Sequence, residues 1–95
     1  MSRGRKMDIS VKITYRNDKL QNARRAAGMS QSQLAKAAGI SVRVLQDYEH
    51  GARDVSAARL STILKLCKAL NCTMPDIITD PDTLELLAAY ERDAK

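Results

Sequence analysis

Apolar and polar positions along the chain fall into two regimes. Over residues 9–15, Ile-Ser-Val-Lys-Ile-Thr-Tyr, they alternate at period 2 and β-branched side chains dominate, which predicts one half-buried strand. A lone strand cannot satisfy its own edge groups, so it pairs with a copy from another chain, lies against helices or stays unstructured. From residue 17 the spacing turns helical. Asn17 or Asp18 can cap a helix to about Ala27, with Leu20, Ala23 and Ala27 inward and Gly28 supplying a left-handed stop. Ser30 with Gln33 has the spacing of a capping box and opens a short helix over 31–38 that Gly39 ends. Ser41 caps a third helix, which carries Val44, Leu45 and Tyr48 on one face and stops at Gly51. After a loop over 52–55, Ser56 is predicted to cap the longest helix, with Ala57, Leu60, Ile63, Leu64, Cys67 and Leu70 as the main core stripe and Asn71 as its end. Thr73 and Asp76, with Pro75 in the first turn, predict a short helix through Ile77 and Ile78. Asp80-Pro81-Asp82 then starts a last helix whose apolar face is Leu84, Leu87 and Tyr90.

The predicted fold is all-α: a compact five-helix domain with a short N-terminal strand or arm and an extra C-terminal helix. Its expected divisions are 1–16, 17–79 and 80–95. A chain of 95 residues buries one modest core, and the absence of Trp and Phe suits small helices packed through Leu, Ile, Val and Ala. No apolar run approaches the roughly 20 residues that span a bilayer, and Met1 to Lys6 lead into no signal core, so the expected location is cytoplasmic with no membrane partner. Cys67, Cys72 and His50 are too few for a disulfide framework or a zinc site, and no cofactor or metal is expected. The thiols read as reduced and partly buried. No nucleophile, base or metal cluster assembles from this composition, which argues against an enzyme. With only Tyr15, Tyr48 and Tyr90 as stacking platforms, single-stranded RNA is also a poor fit.

Charge sharpens the picture. The net charge of +5 is distributed as +6 over residues 1–25, +3 over 26–68 and −4 over 69–95. The basic first two-thirds favours a polyanion, and the acidic end points away from it.

The informative segment runs from Gln31 to Glu49. Two helices that cross steeply need a small residue at their closest approach, a residue tolerant of positive φ at the turn, and apolar groups that fix the second helix. Ala35, Gly39 and the set Leu34, Ile40, Leu45 and Tyr48 meet these needs in order. Arg43, Gln46, Asp47 and His50 remain for the outer face of the second helix, with Ser41 and Val42 at its tip, a shape that fits a major groove.

Residues 18–78 resemble the phage repressor and Cro family of helix-turn-helix proteins, of the xenobiotic-response-element type. The resemblance rests on Gly28 followed by Ser30-Gln31, on Leu34-Ala35, Gly39 and Leu45, on Tyr48-Glu49-x-Gly51, and on an apolar helix closing at Leu70-Asn71-Cys72. It implies a repressor-like DNA-binding domain whose recognition helix spans about 42–50, acting as a sequence-specific transcriptional regulator, a repressor, on double-stranded DNA. By position it implies base contacts from Ser41, Val42, Arg43, Gln46 and Asp47, and phosphate contacts from Ser30 and Gln31, with Gln31 also bracing the base-reading residues. Arg24 and Glu49 match the family's internal ion pair. Arginine can donate twice to guanine and Val42 can meet a thymine methyl. Asp47 departs from the neutral or basic side chain common there; it can accept from cytosine or pair with Arg43 one turn earlier. Arg53, Lys36 and the arm residues Arg3, Arg5 and Lys6 are further phosphate candidates, against the plainer reading of solvated charges. His50 reads as a surface residue complementing a helix dipole. A homodimer is expected, through the strand over 9–15 or the helix over 81–94. The competing reading is a protein-interaction module, such as an antitoxin or phage-borne adaptor, with a protein partner in place of DNA or beside it.

Overall fold

The computed structural model describes residues 18–94, and among them the fold is all-helical. The strand expected over 9–15 and the arm residues Arg3, Arg5 and Lys6 lie outside the described residues. Five α-helices follow one another: α1 Asp18–Ala26, α2 Gln31–Ala38, α3 Val42–Glu49, α4 Leu60–Leu70 and α5 Pro81–Asp93. Short 3-10 turns at Val55–Ala57 and Met74–Asp76 link the last three. The short helix expected after Thr73 is therefore a single tight turn. Asp76 makes it, accepting through Oδ2 from the Thr73 N–H at 2.8 Å and from the Thr73 hydroxyl at 2.9 Å.

One C-terminal device closes three of the helices. At Gly28, Gly39 and Asn71 the chain turns left-handed, with φ of 71°, 69° and 55°. The next residue then sends its N–H back five residues, Met29 to Arg24, Ile40 to Ala35 and Cys72 to Cys67, at 3.0–3.1 Å. Met29, Ile40 and Cys72 each pack against the core as they do so. No atom lies within 4 Å of a Cβ built at Gly39, so backbone conformation, not crowding, requires glycine there. Between Ala38 and Val42 this leaves the three-residue turn that sets the angle of α3.

The core comprises Leu20, Leu34, Ala35, Ala38, Leu45, Tyr48, Val55, Ile63, Leu66, Cys67, Leu70, Ile77 and Ile78. Several expectations need correction. Ala27 and Ala57 are exposed. Helix α4 begins at Leu60, not after Ser56, and buries Ile63, Leu66, Cys67 and Leu70, while Leu60 and Leu64 remain 61% and 48% exposed. Its N-cap is Arg59, without a side-chain bond, because Asp54 caps the preceding 3-10 turn by accepting from the Ser56 N–H at 3.0 Å. The Ser56 hydroxyl accepts instead from the N–H groups of Thr79 and Asp80, at 3.1 and 3.2 Å, and so ties the start of α5 to the domain. Val55, expected in a loop, is fully buried. Helix α5 has Leu84 and Leu87 half-buried but leaves Leu86 and Tyr90 about 70% exposed.

Candidate nucleic-acid interface

Helix α3 is short and its position is set from beneath. Leu45 and Tyr48 anchor it in the core, and Glu49, whose side chain has no exposed area, binds it to α1. Arg24 Nε donates to Glu49 Oε2 at 2.7 Å and Arg24 Nη2 donates to Oε1 at 3.0 Å, the two-pronged contact that arginine makes with a carboxylate. The third guanidinium nitrogen donates to the Met29 carbonyl at 2.9 Å, coupling the ion pair to the cap of α1. Gln31 and Gln21 donate to Glu49 Oε1 as well, at 3.0 and 3.4 Å. Burial pushes the Glu49 carboxyl up, but the hydrogen bonds from Arg24, Gln31 and Gln21, with Arg24's charge, outweigh it and hold Glu49 below the usual carboxylate range. The same bond raises the Arg24 value against the effect of burial. The pair joins α3 to α1 and to the cap of α1, with the Glu49 side chain fully enclosed.

Above this platform, Ser41, Val42 and Arg43 stand exposed at the start of α3, with the Arg43 side chain 86% accessible. Ser41 Oγ accepts from the Val44 N–H at 3.1 Å, and Ser30 Oγ from the Gln33 N–H at 3.0 Å, while Gln33 Oε1 accepts from the Ser30 N–H at 2.8 Å. Both hydroxyls therefore act as caps through a lone pair and keep a proton to donate. Gln31, at the start of α2, accepts from Gln46 Nε2 at 3.3 Å, so α2 and α3 meet at these two amides. Asp47 is engaged by Arg53, whose Nε donates to Oδ2 at 3.0 Å; Arg43 Nε lies farther off, at 4.0 Å from Oδ1. Arg53, Asp47 and Arg43 thus sit side by side at the exposed edge of α3. Lys36 lies toward the other end of α2 from Gln31 and lines a groove with Lys65 and Lys68. His50 is exposed at the end of α3, where its N–H bonds the Gln46 carbonyl at 2.8 Å.

Two contributors escaped the sequence reading. Gln21 shares a face with Arg24 one turn away, a signal that was present. Lys19, whose Nζ donates to the carbonyls of Pro75 and Ile78 at 3.0 and 2.9 Å, had none, since its partners are 56 and 59 residues distant.

A short helix held at a fixed angle by a three-residue turn, with its polar tip outward, defines a helix-turn-helix protein. Comparison with known proteins agrees: residues 20–77 match the helix-turn-helix family of Cro/C1 type, and the chain belongs to it. No curated protein sequence matches the chain. Among solved structures, it is similar to the restriction-modification controller protein C.AhdI of Aeromonas hydrophila. That match has 32% identity and a TM-score of 0.57, and covers 63% of this chain and 86% of the other. The clp gene regulator ClgR of C. glutamicum shares the fold at 23% identity and a TM-score of 0.55, over 77% of this chain and 83% of its own.

Proposed function

We propose that the chain is a sequence-specific regulator of transcription, a repressor, that binds double-stranded DNA by placing α3 in the major groove. The observation that carries this reading is the exposed Ser41-Val42-Arg43 tip on a helix whose inner face is pinned by Leu45, Tyr48 and the Arg24–Glu49 pair. A rigid base with a polar tip is what groove reading requires, since contacts to base edges fail when the helix can rock. Arg43 and Val42 are the leading base readers. Ser30, Gln31, Ser41 and Arg53 flank them as phosphate donors, and Lys36 would extend the basic track. The likeness to C.AhdI, a controller protein, supports a regulatory role.

A tip of a few side chains reads too little sequence alone, so the active form is a homodimer with its recognition helices about 34 Å apart. The face that fits a second copy is the apolar groove between α4 and α5. It is lined by Ile63, Met74, Ile78 and Leu87 and edged by the exposed Leu60, Leu86 and Tyr90. An apolar patch of this kind marks an interaction surface. In sedimentation, the double variant Leu86→Glu, Tyr90→Glu is expected to be monomeric; a dimer that survives these changes would place the interface elsewhere.

The protein-interaction reading keeps one specific observation in its favour: Asp47, on the groove-facing edge, is paired with Arg53. Selection from a randomised duplex pool separates the two. The DNA reading predicts an enriched palindrome with the wild type that Arg43→Ala loses, and binding that weakens steeply with salt. Absence of enrichment favours the partner-binding role.

A further inference from the structure

The cap that ends α4 joins two cysteines. Asn71 turns left-handed, and this sends the Cys72 N–H to the Cys67 carbonyl at 3.0 Å and the Asn71 N–H to the Lys68 carbonyl at 3.2 Å. In such a cap the side chains at the two ends of the longer bond meet. At Gly28 those ends are Arg24 and Met29, at Gly39 Ala35 and Ile40; at Asn71 both are free thiols. A backbone bond of 3.0 Å keeps the two Cα atoms within about 7 Å of each other, the span beyond which cysteines cannot be bridged. The side chains touch as well, the Cys67 thiol donating to the Cys72 sulfur. The pair is asymmetric in access. Cys67 is 7% exposed and packs in the core, whereas Cys72 is half-buried and lines an open groove between α1 and the Met74–Asp76 turn, with Ala23, Ala26 and Pro75. Reagents in solution therefore reach Cys72 first.

We propose that Cys67 and Cys72 are a reversible modification site, closing an internal disulfide by exchange with a low-molecular-weight disulfide such as oxidised glutathione. The Cys72 thiolate attacks one sulfur of that disulfide. Its S–S bond breaks, a mixed disulfide forms on Cys72, and the released thiolate takes up the proton that Cys72 lost. The Cys67 sulfur, giving up its own proton, then attacks the Cys72 sulfur and releases the second small thiolate, which takes that proton. Two protein thiols are oxidised to one disulfide, and one glutathione disulfide is reduced to two thiols. Burial raises both protein thiols, but the bond from Cys67 opposes the rise at Cys72, so Cys72 supplies thiolate before Cys67 does. Because both ionise less readily than ordinary thiols, the reduced form gains no stabilisation from a thiolate, the feature that makes some dithiol pairs strong oxidants. The exchange is slow for the same reason, and its product is a stable bond across a segment that the cap already holds.

The test uses the full native chain, incubated with oxidised glutathione in the absence of denaturant, quenched in acid and analysed by mass spectrometry. Wild type is expected to lose the mass of two hydrogens, and the tryptic peptides on either side of Lys68 should stay linked until dithiothreitol is added. Cys67→Ser should stop at the first step and gain one glutathionyl group on Cys72. Cys72→Ser, which keeps only the buried thiol, should remain unmodified. Oxidation should also raise the urea midpoint of wild type, since the link restrains the unfolded chain without moving the cap. Should Cys67→Ser fail to fold, the wild-type peptide map and the behaviour of Cys72→Ser still decide. Four results would each overturn the proposal: a wild type that carries glutathione with no internal bond, a disulfide between two copies in its place, closure only in urea, or a urea midpoint lowered by oxidation.

Discussion

Arg24→Leu is expected to be among the most damaging single changes in this domain. Arg24 makes three hydrogen bonds, at 2.7 and 3.0 Å to Glu49 and at 2.9 Å to the Met29 carbonyl, and its side chain is 11% exposed against 0% for Glu49. Removing it leaves a carboxylate enclosed by protein with its counter-charge gone. Breaking a buried pair from one side costs about 3–5 kcal/mol; because Gln31 and Gln21 still donate to Glu49, the lower figure of about 3 kcal/mol applies. In a domain of this size that lowers Tm by roughly 12–24 °C and consumes much of the stability that small domains possess. Urea unfolding followed by helical circular dichroism measures the loss directly. The decisive comparison is with the double variant Arg24→Leu, Glu49→Leu, in which no charge is stranded and most of the loss should be recovered. A cost below about 1 kcal/mol for Arg24→Leu, or a double variant less stable than the single one, would refute the stranded-charge reasoning.

Acid should act through the same carboxylate. Glu49 is held below its ordinary value of about 4.3, so its contribution to stability is complete above that pH and is lost as pH falls through the lower value of the folded protein. Asp76, held down by bonds from the Thr73 backbone and hydroxyl, and Asp80, by bonds from the Thr83 hydroxyl and backbone, act in the same direction. Urea midpoints should therefore hold between pH 7 and 5 and drop progressively as pH falls below about 4, with a shallower drop in Glu49→Gln; an unchanged profile in that variant would contradict the assignment. Burial pushes the Cys67 thiol up to about 12, aided by the adjacent Cys72, so at pH 8 almost none of it is thiolate. Iodoacetamide should label Cys67 only as fast as the domain opens and promptly in urea; rapid labelling of the native protein would show that α4 packs more loosely than described.

How far the fold could be read from the sequence depended on the range of the interaction. Ser30 with Gln33, Gly28, Gly39, Ser41 and Asp80 are signals confined to one helix end, and each caps or closes the element expected of it. Ser56 misled because Asp54, two residues earlier, captures its N–H, while its hydroxyl serves Thr79 and Asp80 across 23 and 24 residues. In α4, Leu60, Ile63, Leu64, Leu66, Cys67 and Leu70 cover more than one side of a helix, so periodicity alone could not choose the buried stripe. Packing against α2 chose Ile63, Leu66, Cys67 and Leu70, which left Leu60 and Leu64 outward. At the interface, family resemblance located Arg24 with Glu49, and helical spacing placed Arg43 beside Asp47, at 4.0 Å, but the closer partner of Asp47, at 3.0 Å, is Arg53 in the following loop. A loop that returns to its own helix leaves no periodic trace.

The central claim is that α3 and the start of α2 form the DNA-facing surface. The most direct test is to titrate the isotope-labelled protein with its selected duplex and follow backbone amide resonances. The largest changes should fall at residues 30–31, 41–47 and 53, with smaller ones at Lys36 and none of comparable size along α5. Changes centred on α4 and α5 instead, with residues 41–47 undisturbed, would contradict the account.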